Sequence, residues 1–233
     1  MENRILGVLG GMGPQASALF YERVIARTKA DTDQEHLRVL LWGDSTIPDR
    51  TAGILSGNEA PVYDALLDGL KLLETAGCTA VVMTCNTAHY FADRLQKELS
   101  IPLIHMPRET VKVIEAAGHK KVAVLATDGT VQTGIYQTEL EKAGLTAVTP
   151  PEELQKTLMD IIYHEIKSGF PGSPDKFAKV EAWLKEENCD CAIIGCTELS
   201  IYRAQENLPA FYVDAMEVLV EKAILHCGKQ LKE

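Results

Sequence analysis

The chain is short of positive charge: 23 Lys and Arg stand against 33 Asp and Glu, a formal net charge of −10 at pH 7. Nucleic acids and anionic membranes are therefore poor partners, because neutralising their phosphates takes clustered Lys and Arg. Long hydrophobic runs are also missing. Nothing in the sequence approaches the roughly 18 apolar residues of a membrane span, and the opening MENRILGVLGG carries Glu2 and an apolar run too short for a secretory signal. These absences read as a cytoplasmic protein. Without a secretory context, Cys78, Cys85, Cys189, Cys191, Cys196 and Cys227 read as free thiols rather than a disulfide framework. A metal centre is poorly served as well, since Cys189-x-Cys191 lacks the usual ligand gap and has no matching His or Cys pair.

What is there is the composition of a soluble globular protein, 46% hydrophobic and 24% charged over 233 residues. Short apolar runs alternate with amphipathic stretches: ILGVLG then 14–30, LRVLLWG then 61–76, TAVVMTC then 88–99, IPLIHM then 107–117. The second half continues with KVAVLAT then 131–143, 152–168, 174–187, CAIIGC, and a final helix over 215–231. Runs of continuous rather than alternating hydrophobicity, each followed by a helix, predict an α/β fold with parallel sheets covered on both faces.

The halves resemble each other. ILGVLGGMGPQASALFY parallels VAVLATDGTVQTGIY, AVVMTCNTAHYF parallels AIIGCTELSIY, and IPLIHM parallels LPAFYVD. This two-copy pattern predicts two similar, pseudo-symmetric domains facing each other across a cleft: residues 1–104 plus 214–233, and residues 105–213. Ligands of parallel sheets bind beyond the carboxyl ends of the strands, so the turns of the four paired segments converge on one site.

The first of those turns, VLGGMGPQAS, matches a dinucleotide fingerprint through Gly11-x-Gly13-x-x-Ala16. The acid that such a fold needs about 20 residues on, at the end of the second strand, is missing: Asp31 and Asp33 precede that strand and Asp44 follows too late. The glycines read instead as a tight turn that brings backbone close to a small ligand, with Pro14 opening a helix at its preferred first position.

Cys85 and Cys196 occupy equivalent places in the two halves, each closing an apolar strand and followed by residues suited to capping a helix, Asn86-Thr87 and Thr197-Glu198. The other four cysteines read as packing residues. A thiol at a helix start gains thiolate character. A pseudo-symmetric thiol pair suits two-base proton transfer, in which one thiolate removes a proton from one face of a carbon and the other thiol delivers one to the opposite face. A redox disulfide usually brings a close C-x-x-C, and a protease-type nucleophile needs only one Cys.

Six motifs then carry a resemblance: Gly10-Gly11-Met12-Gly13-Pro14, Pro48-Asp49-Arg50-Thr51, Thr84-Cys85-Asn86-Thr87-Ala88-His89, Thr127-x-x-Thr130, Lys167-x-Gly169 and Gly195-Cys196-Thr197-Glu198-Leu199. In this order, along the whole chain, they resemble the aspartate/glutamate racemase family of cofactor-independent two-cysteine enzymes, the aspartate branch above all. The resemblance implies catalysis by Cys85 and Cys196 without cofactor or metal, a small amino-acid substrate, and a homodimer for which the LRVLLW strand or the helices around Tyr63 supply the interface. It implies that Asn86, Thr87, Thr127 and Thr197 hold the α-carboxylate and α-amino groups, and that Arg50 and Lys167 engage a distal carboxylate. Met12, Gly13 and Thr130 complete the expected substrate site. Cys196 is implied to serve the L-enantiomer and Cys85 the D-enantiomer; with both thiols retained, activity on both is expected.

Taken alone, Arg50 reads equally well as a solvated loop residue, Lys167 as a partner of a helix C-terminus, and Thr127 and Thr130 as ordinary turn residues. His89 and Glu198 read as helix-terminus chemistry in preference to thiol helpers, and His105 is placed at the cleft edge without a role. A hydantoin racemase, a maleate isomerase or a one-cysteine decarboxylase on the same scaffold, and a non-catalytic amino-acid or dicarboxylate binder, are the rival readings.

Overall fold

The computed structural model describes residues 4–232. In chain order its strands and helices are β1 (Ile5–Gly10), α1 (Pro14–Arg27), β2 (Arg38–Gly43), α2 (Arg50–Leu55), α3 (Ala60–Thr75), β3 (Ala80–Met83), α4 (Ala92–Glu98), α5 (Met106–Ala116), β4 (Lys121–Ala126), α6 (Asp128–Gln132), α7 (Ile135–Lys142), β5 (Thr146–Val148), α8 (Glu152–Met159), α9 (Pro174–Glu186), β6 (Cys191–Gly195), α10 (Thr197–Glu206), β7 (Tyr212–Asp214) and α11 (Ala215–His226). The strands form two sheets, ordered β2-β1-β3 and β5-β4-β6-β7. Every pairing in them is parallel, so the fold is α/β, with helices flanking parallel sheets.

Alternation along β1 divides the core. Leu6 and Val8 turn one face of the first sheet toward Phe20 and Val24 of α1, in a cluster continuous with β4, β6 and α11. Leu9, with Val81 and Met83 of β3, turns the other face toward Leu66, Leu70 and Leu73 of α3. Each such fully buried side chain contributes about 1.5–3 kcal/mol relative to exposure.

Local chemistry explains where the elements depart from expectation. The segment 101–106 is expected as a strand but pairs only through the single bridge Val81↔Leu103, since Pro102 has no N–H to extend a ladder. The stretch 131–143 divides into α6 and α7 at Gly134, which adopts φ +69°. The stretch 152–168 begins as α8, widens to a π-helical turn over Asp160–Glu165 and tightens to a 3-10 turn over Ile166–Ser168. β2 lies at the edge of its sheet, with Leu40, Leu41 and Trp42 exposed.

The carboxyl ends of β1, β3, β4 and β6 lead into the turns at Gly11–Gly13, Cys85–Thr87, Thr127–Thr130 and Cys196–Glu198. Gly11 has φ +91°, and a Cβ there would lie 2.2 Å from the carbonyl carbon of Asp44. Backbone packing, not a cofactor, accounts for that glycine. Pro14 opens α1 as expected.

Candidate active site

These turns meet around a small, partly open void. Met12, Arg50, Cys85, Asn86, Thr87, Thr127, Lys167, Cys196 and Thr197 line it, all of them residues singled out in the sequence. Gly13 lies instead in a wider adjoining chamber, where Ile47, Ile166 and Ile201 add apolar wall and Met12, Arg50, Lys167 and Glu198 are shared with the void. Thr130 stands behind the lining. Its hydroxyl is 3.0 Å from that of Thr87 and 3.2 Å from that of Thr127, and Thr87 and Thr127 are 2.9 Å apart. Thr127 also caps α6, accepting from the Thr130 N–H. The hydroxyl cluster thus ties the first half of the chain to the second at the site.

Cys85 follows β3 and is buried. A 3-10 turn, Thr87–Phe91, comes next, and Asn86 makes no side-chain cap to it, contrary to the capping expected. Its Oδ1 instead accepts from Tyr136 Oη at 2.6 Å, while its buried Nδ2 has no partner among the described residues. A buried amide N–H left open beside a cavity is free to donate into it. His89 serves the fold: its Nδ1 donates to the Cys85 carbonyl at 2.8 Å and its Nε2 accepts from the Met106 N–H at 3.1 Å. Complete burial, with His105 nearby, lowers its pKa to about 3, so the ring is neutral. His105 caps α5 by accepting from the Arg108 N–H and does not line the void.

On the facing wall Cys196 is itself the N-cap of α10, and neither Thr197 nor Glu198 caps that helix. Glu198 lies in the first turn of α10, as expected, and its side chain also reaches the thiol. Its Oε2 accepts from Cys196 Sγ at 2.9 Å and from Thr197 Oγ1 at 3.3 Å, and the residue is buried in the lining. Burial first, and then the neighbouring Glu198 carboxylate, hold the Cys196 thiol well above the usual thiol range, with Lys167 opposing.

Arg50 is no solvated loop residue; it opens α2 and is buried. Its Nη1 donates to the carbonyls of Ile47 and Pro48, its Nη2 to that of Met12 at 3.4 Å, and its Nε has no partner among the described residues. Burial opposes its charge, but Cys85, then Asp49 and Tyr163, outweigh it and raise the pKa. Lys167 lies on the 3-10 turn, its Nζ 4.0 Å from Asp49 Oδ2 and 4.3 Å above the Tyr163 ring. Tyr163 Oη donates to Asp49 Oδ2 at 3.0 Å. Asp49, Thr51 and Tyr163 therefore belong to the lining without having been singled out. Asp49 and Thr51 flank Arg50 in one motif, whereas Tyr163 sits inside a helical stretch that carried no signal.

The arrangement sets two thiols, two cations and a ring of hydroxyl and amide donors around one small space. A family model described as Asp/Glu/Hydantoin racemase matches residues 9–223. The chain belongs to the Asp/Glu/Hydantoin racemase family. With the family comes the enzyme class, isomerase. Among curated proteins, the broad specificity amino-acid racemase RacX of Bacillus subtilis (strain 168) is 29% identical over 186 residues, covering 70% of this chain and 79% of that protein. Among solved structures, the aspartate racemase of Picrophilus torridus superposes with a TM-score of 0.83 at 31% identity, covering 98% of this chain and 96% of its own. An aspartate racemase homologue from Pyrococcus horikoshii OT3 shares the racemase fold, with a TM-score of 0.78 at 24% identity over 97% of this chain and 99% of its own.

Proposed function

We propose that this racemase interconverts L- and D-aspartate, without a cofactor, by two-base proton transfer between Cys85 and Cys196. The observation that carries the reading is that thiols from equivalent strand ends of the two sheets line one cavity together with unpaired donors. Likeness to the Picrophilus torridus aspartate racemase supports aspartate. Likeness to RacX supports a wider range of amino acids as further substrates, and glutamate is the further substrate of this reading that differs from aspartate by one methylene.

In this reading the α-carboxylate and α-amino groups rest on Asn86, Thr87, Thr127 and Thr197, and the distal carboxylate on Arg50 and Lys167. Arg presents a planar fork to a carboxylate, and Lys adds a point charge. Met12 and Gly13 bring backbone to the substrate, and Thr130 holds the hydroxyls of Thr87 and Thr127. Negative charge develops as one thiolate removes the weakly acidic Cα proton. Donors already in place stabilise that charge without reorganising. The opposite thiol then protonates the other face, inverting the centre.

Each enantiomer, incubated in deuterium oxide with wild type, Cys85→Ser and Cys196→Ser, tests the mechanism. Wild type incorporates deuterium at Cα with inversion, and each single variant loses racemisation. Near wild-type racemisation by both variants overturns the two-thiol route. Chiral chromatography on a panel of aspartate, glutamate, neutral amino acids, a hydantoin and maleate separates the substrate readings. A chain that binds these compounds and converts none of them is a binding module.

The same reading takes residues 1–104 plus 214–233 and residues 105–213 as the two domains. It also places the protein in the cytoplasm as a homodimer; no helix among the described residues is long and apolar enough to cross a membrane. The exposed face of Tyr21, Ile25 and Leu41 along α1 and β2 offers the dimer contact. Sedimentation of wild type and Leu41→Glu checks it, with dissociation of the variant expected.

A further inference from the structure

The two thiols do not stand in equivalent surroundings. Cys85 has the Arg50 guanidinium as its charged neighbour. Cys196 has a carboxylate: Glu198 Oε2 lies 2.9 Å from Sγ and also accepts from Thr197 Oγ1, which fixes its direction. The other oxygen, Oε1, is held against the turn after β1, where a Cβ on Gly13 would lie 3.3 Å from it. This carboxylate is buried, lines the cavity, and makes no salt bridge among the described residues. The remaining groups facing Cys196 are Lys167 and Tyr163 from the segment after α8 and Tyr136 from α7, with Cys85, Arg50 and Asp49 across the void. Of these, only Lys167 opposes Glu198 in the balance at Cys196.

We propose that Glu198 is the positioning residue that keeps Cys196 protonated in the resting enzyme, making Cys196 the proton donor of the first turnover and Cys85 the base. This inference rests on the racemase reading and adds a direction to it. The Cys85 thiolate takes the Cα proton, and the electron pair of the broken C–H bond stays on the substrate. The Cys196 S–H then delivers its proton to the opposite face, which leaves a thiolate beside the Glu198 carboxylate. Two adjacent anions in a buried site repel each other. As product leaves, the proton on Cys85 returns through solvent to Cys196, and the resting form is restored with no net gain or loss of protons. The enantiomer whose Cα–H faces Cys85 therefore meets Cys196 already in the protonated form that its turnover needs.

The test reads alkylation of each thiol by iodoacetamide against pH, with peptide mass spectrometry to separate Cys85 from Cys196. In wild type the midpoint for Cys196 lies above the ordinary thiol value of about 8.5. In Glu198→Gln it falls by at least one pH unit, a tenfold change in proton affinity, while that of Cys85 stays within half a unit. Glu198→Asp, which keeps the charge, stays closer to wild type than Glu198→Gln does. The pH profile of kcat/KM for racemisation is the second readout, because its limbs report the essential acid and base of the free enzyme. The alkaline limb moves to lower pH in Glu198→Gln and the acid limb stays. A wild-type Cys196 midpoint at or below 8.5, or limbs that drop in height without moving, overturns the proposal. The alkylation arm needs no substrate, so it stands even where racemisation of every amino acid tried fails, a result that would count against the racemase reading alone.

Discussion

Tyr136, from the second half of the chain, donates its hydroxyl to Asn86 Oδ1, from the first half, at 2.6 Å, and both residues are buried. The bond fixes the orientation of the Asn86 amide, so that Nδ2 is the atom left free to donate. Burial pushes the Tyr136 phenol far above its ordinary range, so it remains a donor throughout neutral pH. Tyr136→Phe leaves Oδ1 unsatisfied and frees the amide to turn. The expected cost is about 1–3 kcal/mol of stability, together with a fall in kcat/KM of about tenfold or more from the lost orientation. Urea unfolding and steady-state racemisation measure the two effects separately, and an unchanged kcat/KM removes Asn86 from substrate binding.

At Gly11 both conformation and space forbid a side chain. The positive φ alone costs a non-glycine residue about 1–3 kcal/mol, and the Cβ would meet the Asp44 backbone at 2.2 Å. Gly77 supplies the control, with φ +89° and nothing within 4 Å of its Cβ. Gly11→Ala is expected to lose well over twice the stability that Gly77→Ala loses. Equal urea midpoints for the two variants contradict the close approach of β1 and the loop after β2.

Strand ends and their turns were legible in the sequence because continuous apolar runs and small or polar punctuation are local signals. The same locality placed Cys85, Asn86, Thr87, Thr127, Cys196 and Thr197, each of which follows a strand directly. Tyr163 was invisible because it reaches the void from a widened helical turn, a feature set by packing rather than by its neighbours in sequence. Arg50 misled in isolation, since its burial depends on the carbonyls of Met12 and Ile47, one of them in the first turn of the chain. Glu198 keeps the expected place in the first turn of α10, while its contact with the thiol was not legible. Acidic residues favour helix N-termini, but here a buried thiol takes the carboxylate inward.

The threonine cluster allows structural and substrate roles to be separated. Thr130 is fully buried behind the lining, whereas Thr127 faces the void. Replacing either by valine removes a hydroxyl from the set joining Thr87, Thr127 and Thr130 and costs about 1–2 kcal/mol, the penalty for buried polar partners left short. Thr127→Val also gives up the cap on α6, about a further 1 kcal/mol, and is expected to raise KM several-fold more than Thr130→Val. Matching kinetics in the two variants would falsify a direct role for Thr127 in holding substrate.

Stability between pH 7 and pH 5 is expected to follow His89 and His105, whose rings pack edge to face with centroids 5.1 Å apart. Burial, the larger cause in each case, lowers their pKa values to about 3 and about 4. A base with a depressed folded pKa stays neutral in the native state while the unfolded chain, titrating near 6.5, takes up protons. Stability is therefore complete above the unfolded value and declines as the pH falls from about 6.5 toward the folded values. His89, fully buried between the Cys85 carbonyl and the Met106 N–H, accounts for about 2 kcal/mol of loss by pH 5, at about 1.4 kcal/mol per pH unit; His105 adds in the same direction. Most carboxylates remain ionised in this window, so the slope belongs largely to the histidines. His89→Gln is less stable than wild type at pH 7, because one side chain replaces a ring that bridges two backbone groups, and its urea midpoint varies less steeply with pH. A variant as steep as wild type between pH 7 and pH 5 would mean that His89 takes up protons equally in the folded and the unfolded protein, and that its Nε2 is not held as an acceptor for Met106.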